Sequence, residues 1–497
     1  MSLSRRQFLH ASAAAATAGP IAAFSQDSGK KMLGVTVLPE YIQSEGIDGV
    51  LENLIHKVGA TAVTTSPYVM AEADKETGNR EPPADAGAGS VRLLDRPLFG
   101  KREVWVTTAP SFEPKKELYD GLRYRPAPPT DLTRREGGIV AEFVEAAKKA
   151  GLKVYFQIQA AIPPGYRVQF GGPVEDDQPR LPDGSVPPRR LAKNGTLCSP
   201  EIVGYEHALI RDLLAQYPNI DGIRFDWPEF PPYFLDSCFV DFGPHAKAAA
   251  ARLGFDFDLM QREVGAFYQK LLGGLTNRDL GSWLTRDFAN FGMARGLSNH
   301  PGIGEFLRFK ATVVEETVAG FRRVMDEAGG ADKAMMPNAF PPPFTLATGL
   351  DFGRVGRHST AISSKLYSMH WMMILRFYGD AILEKNPGLD SKLLTRALVK
   401  TLGIADGAGL ENLEDYRYPG PEEPHAYGPK AMARKIRQAQ AEAGKCPVYT
   451  LGHGYGPVDD YRERMRIGWE ASRAGMWVNR YAYLTDEKLK ILGEVTK

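Results

Sequence analysis

The run YPNIDGIRFDWPEFPPY, Tyr217 to Tyr233, decides how the rest of the chain is read. Before it, Ile202 to Tyr217 carries apolar residues at helical spacing, and within it DGIRFD, Asp221 to Asp226, reads as a buried strand. Ile223 and Phe225 point to one face of that strand and Arg224 and Asp226 to the other. The strand ends in Asp226, Trp227 and Glu229 and stops on Pro231 and Pro232. Helix, short break, strand is therefore the local phrase, with polar residues at the strand's end.

The same phrase recurs along the chain. Strands are expected at LGVTVL (33–38), ATAVTTS (60–66), KVYFQI (153–158), AMMPNAF (334–340), 361–366, CPVYTL (446–451) and MWVNRY (476–481). Amphipathic helices separate them, and a final helix is expected over 486–494. Eight strands alternating with helices predict an α/β fold, a parallel (β/α)8 TIM barrel with long loop insertions near 71–133 and 231–299. No strand-to-helix turn carries the glycine fingerprint of a dinucleotide site. The barrel is expected to occupy 31–497 as one catalytic domain.

Composition narrows the ligand. The 497 residues include 61 Lys plus Arg and 60 Asp plus Glu, so no net field favours nucleic acid or an acidic membrane surface. Cys198, Cys238 and Cys446 lack the paired short spacing of a zinc site or a disulfide framework. At the N-terminus, Ser4, Arg5, Arg6, Phe8 and Leu9 before the short apolar stretch Ala11 to Phe24 resemble a twin-arginine export signal over residues 1–25. That resemblance implies a periplasmic or secreted mature protein, with no membrane span.

In a parallel barrel the chemistry gathers where strands end, so the polar residues after each apolar run are the candidates. They are Glu40 after the first strand, Gln157 and Gln159 on the third, Asp226 and Glu229 after the fourth and Asn338 after the fifth. Lys365, Tyr367 and His370 follow the sixth strand, His453 the seventh, and Asn479 and Arg480 the eighth. Arg224 is expected to hold Asp226 ionised, Trp227 to offer a flat surface for a sugar ring, and Glu229 to act as an acid in a partly apolar pocket. Trp105, Tyr233, Trp371 and Trp477 are further candidates for the cleft wall. Two carboxyls in unlike surroundings suit glycosidic bond cleavage, one protonating the leaving oxygen and the other facing the oxocarbenium-like centre. His358, His370 and His453 with Glu40 lack the short spacing of a metal motif, and no G-x-S-x-G surrounds Ser359 or Ser363. No cofactor or metal is expected.

The run Asp221, Gly222, Ile223, Arg224, Phe225, Asp226 resembles the fourth-strand signature of barrel glycoside hydrolases. It is similar to the Arg-x-Asp of the α-amylase type, in which the aspartate is the nucleophile, and to the DGxDxDxE strand of the chitinase type, in which the glutamate is the acid. Arg224 stands at the middle aspartate of the second pattern, and Glu229 lies one residue late. The fifth strand ends in Asn338 where the first pattern has a glutamate, and no His-Asp pair follows His453. The resemblance implies a glycoside hydrolase acting on an oligo- or polysaccharide, with Asp226, Glu229 and Glu40 as catalytic carboxylates. Arg224, Trp227, Tyr233, Asn338, Lys365, Tyr367, His370, His453, Asn479 and Arg480 are then expected at the substrate. A non-catalytic carbohydrate-binding barrel and a metal- or lysine-dependent sugar isomerase or aldolase, using Lys365 as Schiff base, are the other readings. Oligomeric state is left open.

Overall fold

A computed structural model describes residues 30–83, 92–167, 169–191, 193–285, 292–407 and 409–497. The expected export signal, 1–25, lies outside them. Eight strands close a barrel: β1 (Met32–Thr36), β2 (Ala62–Thr65), β6 (Lys153–Gln159), β7 (Gly222–Asp226), β8 (Ala334–Ala339), β9 (Ile362–Lys365), β10 (Val448–His453) and β11 (Gly475–Asn479). Each pairs in parallel with its sequence neighbour, and β11 returns to β1. Every strand the sequence predicts is present. The remaining strands, β3 (Tyr68–Glu72), β4 (Asn79–Glu81) and β5 (Val104–Pro110), form an antiparallel sheet of order β3-β5-β4 in the excursion after the second barrel strand.

The helices α1 (Pro39–Glu52), α2 (Gly138–Lys149), α3 (Pro200–Gln216), α4 (Pro301–Glu327), α5 (Ser368–Lys385), α6 (Pro429–Glu442), α7 (Val458–Ala471) and α8 (Asp486–Val495) run between and after the barrel strands. Helix α3 shows why such segments start where they do. The Ser199 hydroxyl accepts from the Glu201 and Ile202 amides, while Pro200, which has no N–H to satisfy, opens the first turn. Its buried Ile202, Leu209 and Leu213 form one stripe toward the barrel. From the strand side, Phe225 points outward and stacks on Phe321 of α4, centroids 4.5 Å apart. Arg224 points inward, so the alternation read from the sequence is the pleat of this strand.

After the fifth barrel strand the helix of the repeating phrase is two short ones, Phe344–Thr348 and Phe352–Val355. Gly349 and the prolines at 341–343 interrupt the helical pattern there. The excursion after the fourth strand carries the helices Pro244–Leu253, Phe257–Leu271, Asn277–Thr285 and Gly292–Asn299. Among the described residues, no helix is long and apolar enough to cross a membrane.

The closure between first and last strands depends on Gly475. Its φ is +122°, and a Cβ there would lie 2.0 Å from the Met32 carbonyl oxygen. Gly475→Ala is therefore expected to destabilise the fold by more than about 3 kcal/mol, read as a lowered urea midpoint. A change within about 0.5 kcal/mol would contradict this account of the closure.

Candidate active site

The C-terminal ends of the barrel strands open into a cavity of about 800 Å³, counting its open mouth. Register puts Gln159, Asp226 and Asn338 on one level of three adjacent strands, and His453 beside Asn479 on two others. Chain alternation therefore delivers several polar side chains to one mouth.

Asp226 is the one carboxylate among the described lining residues. Its Oδ1 lies 2.8 Å from Lys365 Nζ, and the side chains are 19% and 1% exposed respectively. The acid can thus be reached from the cavity while its counter-ion is sealed behind it. Asn338 Nδ2 approaches the same oxygen at 3.5 Å and donates to Gln157 Oε1 at 3.2 Å. Arg224 does not pair with Asp226 as the sequence suggested. One level down in the barrel, its guanidinium lies 4.0 Å from the centroid of the Trp477 ring, and Nη2 donates to Asn338 Oδ1 at 3.0 Å and Ser363 Oγ at 3.3 Å. Residues two apart on a strand share a face but not a height, and Lys365 from the sixth strand fills the level of Asp226. Arg224 reaches Asp226 through Asn338, and burial lowers its pKa to about 10.

Trp227 turns the chain straight after Asp226 with φ +56°, a left-handed conformation rare for a bulky residue and of the kind that collects at binding and catalytic sites. It lines the cavity and meets Tyr233 edge-on, centroids 5.7 Å apart. Opposite, Tyr367 stands edge-on to His370 and His453 at 5.4 and 5.0 Å. The Tyr367 hydroxyl accepts from Asn479 Nδ2 at 2.9 Å. Burial, then Arg92 and Lys365, push His370 down to about 3. His453 is also held well below its usual value, chiefly by burial, and its Nδ1 accepts from the Tyr455 amide at 3.1 Å. Both imidazoles are therefore neutral, and the proton of His453 sits on Nε2.

The other two candidate carboxylates do not line the cavity. Glu40 is buried, 2.6 Å from Arg167 Nη1 and accepting from the Tyr68 hydroxyl at 2.7 Å. Glu229 is buried behind the wall, and its Oε1 accepts from the Phe340 amide at 3.0 Å. Burial, opposed by Lys365, pushes its pKa up to about 7. A carboxyl whose folded pKa exceeds its unfolded value contributes stability below about pH 4.5 and loses it as pH rises toward 7. The advantage of the wild type over Glu229→Gln is expected to shrink by roughly 1–3 kcal/mol across that window in thermal melts. A pH-independent difference would place the proton elsewhere.

Asn338 and Lys365 likewise stand behind the lining, whereas Gln157, Gln159, Asn479 and Arg480 are in it. Trp105 sits on β5 beneath Lys75, Trp371 lies against Lys435, and Trp477 fills the barrel interior. His358 faces Glu315 on α4, far from the mouth. Among the described residues no three His, Cys, Asp or Glu side chains gather as a metal set.

Sequence reasoning passed over Arg92, Tyr166 and Arg167, which are also in the lining. Arg92 comes from the first long excursion and Arg167 from the loop after the third strand, where no periodicity marks a residue. Arg167 also donates to Glu81 Oε2 at 2.5 Å, and Arg480 donates to Glu81 Oε1 at 2.7 Å. Burial opposes ionisation of Glu81, yet Arg167, Arg480 and Arg92 outweigh it and hold the carboxyl below its ordinary range.

No protein-family model and no curated protein matches the chain. Among solved structures it is similar to a β-galactosidase from the psychrophilic Marinomonas ef1, with 11% identity, a TM-score of 0.46 and coverage of 90% of this chain and 54% of that one. It therefore spans about half the length of that galactosidase. It is also similar to the catalytic domain of a β-amylase from Paenibacillus polymyxa, with 11% identity, a TM-score of 0.44 and coverage of 93% and 95%. A group IV chitinase from Ostrinia furnacalis gives 10% identity, a TM-score of 0.40 and coverage of 94% and 98%. These structural neighbours are glycoside hydrolases.

Proposed function

We propose that this protein is a glycoside hydrolase, or a close relative of one, that cleaves an oligo- or polysaccharide by carboxylate chemistry at the barrel mouth. The observation that carries the reading is Asp226, a reachable carboxylate at a strand end, held by a sealed ammonium 2.8 Å away and flanked by Trp227. An ionised carboxylate fixed in this way suits the side facing a developing oxocarbenium centre, as nucleophile or as fixed charge. Glu229 is the proton-bearing partner in this reading. A carboxyl with a pKa of about 7 keeps much of its proton at neutral pH, and because it stands behind the wall this reading requires a water to relay the proton to the cavity. Trp227 and Tyr233 would stack the sugar, and Gln157, Gln159 and Asn479 would take its hydroxyls.

One observation favours a second reading, a carbohydrate-binding barrel without turnover: the described lining holds a single carboxylate. The Schiff-base reading has less support, since Lys365 is 1% exposed and engaged by Asp226. A panel of aryl glycosides and natural oligosaccharides, assayed for cleavage and for a shift in melting temperature, separates the first two. Cleavage that Asp226→Asn abolishes supports the hydrolase. Thermal stabilisation without any cleavage moves the reading to the binding barrel.

A further inference from the structure

Part of the cavity wall is built from arginine. Arg92, Arg167 and Arg480 all line it, and each is at least nine-tenths buried. Two carboxylates stand behind them, Glu40 and Glu81. Glu40 pairs with Arg167, and Glu81 takes one bond from Arg167 and one from Arg480. Three guanidiniums therefore face two carboxylates, and Arg92 is the one left over. Its Nε donates to the Tyr483 hydroxyl and its guanidinium lies 4.9 Å from the centroid of that ring. No carboxylate among the described residues lies within ion-pair distance of it. The other charges at the mouth do not supply the missing anion, because Asp226 is matched by Lys365 and both histidines are neutral.

Arg92 shares the field of Glu81 with Arg167 and Arg480, but a guanidinium that is 5% exposed and has no carboxylate of its own in direct contact is better satisfied when an anion arrives to meet it. The side chains beside it also hold unused hydrogen-bonding atoms: Arg480 Nε, Asn479 Oδ1 and His370 Nε2 are buried without partners. A donor fork, a free acceptor and a free imidazole nitrogen thus belong to the same cavity lining as Trp227 and Asp226.

We propose that the cavity takes a saccharide bearing an anionic group, a carboxylate or a sulfate ester, with that group bound by Arg92 and Arg480. This inference rests on the carbohydrate reading of the site, but it is tested by binding alone, so it does not depend on turnover. The planar fork of arginine matches both anions bidentately, which is why their shared chemistry is named first.

The test is calorimetric titration of the full chain with matched pairs: glucose against glucuronate, galactose against galacturonate, and galactose against galactose 6-sulfate, with inorganic sulfate as the anion without a sugar. At least one acidic member is expected to bind about tenfold or more tightly than its neutral partner, with the difference falling as salt is raised. Preference for the uronates names a carboxylate, and preference for the sulfated sugar names an ester. Arg92→Gln should erase the preference, and Arg92→Lys should keep part of it. Melting curves confirm that each variant is folded. Equal affinity across every pair, including no binding to either member, overturns the proposal, as does a preference that Arg92→Gln leaves intact. Cleavage of neutral glycosides with no acidic preference would sink this inference alone, whereas tight acidic binding without cleavage of any substrate would leave it standing and remove the hydrolase reading.

Discussion

Asp226→Asn is expected to lower glycoside cleavage by about a hundredfold or more while the cavity still binds sugar. The substitution keeps size and shape and removes the charge that the hydrolase reading sets against the reacting centre. It also leaves the Lys365 ammonium, 1% exposed, beside an amide instead of a carboxylate. A loss of about 1–3 kcal/mol in stability should accompany it, less than for a fully sealed pair because the Asp226 side of the pair meets solvent. Adding Lys365→Met separates the two effects. The double variant should regain stability relative to Asp226→Asn, since the uncompensated ammonium is gone, and should regain no activity. Recovery of cleavage in the double variant, or full cleavage by Asp226→Asn with a folded protein, would show that Asp226 serves only as the counter-ion of Lys365.

Arg167→Met should be the most damaging single change to stability at the mouth, about 3–5 kcal/mol at neutral pH. Arg167 is 4% exposed and bonds Glu40, Glu81 and the Tyr68 hydroxyl together. Methionine of similar length preserves the packing and strands two buried carboxylates, of which Glu81 keeps Arg480 and Glu40 keeps a hydroxyl. The sign of the pH effect follows from Glu81. Its folded pKa is held below its ordinary 4.5, so its contribution is present above about pH 4.5 and is lost as pH falls through the folded value. The gap between wild type and variant should accordingly be wide in urea titrations at pH 7 and narrower near pH 4. A gap that is the same at both, or below about 1 kcal/mol at pH 7, would mean that water already satisfies these carboxylates.

The barrel was legible because its signals are local. Ile223 and Phe225 against Arg224 and Asp226 announce a pleated strand, and the helical spacing of apolar residues over 202–217 announces the helix before it. After the fifth strand the prolines at 341–343 mark a break in the pattern without showing that two short helices follow it. Within the site, the residues that alternation carries to strand ends were foreseen, including Asp226, His453 and Asn479. Pairings across strands were not. Nothing in the spacing of Arg224 and Asp226 shows that strand stagger will set Lys365, 139 positions beyond Asp226, at the aspartate's own height. Arg92 and Arg167 come from loops whose path is set by tertiary contacts, so no period marks them, and the only cue was that long excursions after barrel strands face the mouth.

One carboxylate from the small antiparallel sheet changes what kind of mouth this is. Barrel rims are usually modular, each loop free to vary while its neighbours stay fixed. Here Glu81, from the excursion after the second strand, is shared by Arg167 after the third and Arg480 after the eighth, and Arg167 also holds Glu40 after the first. Four neighbouring loops thus form one interlocked unit. Replacing any one of them by itself takes a partner from a buried charge in another, so loops on this side are expected to exchange best as a set, while the loops after the fourth to seventh strands lie outside the lock.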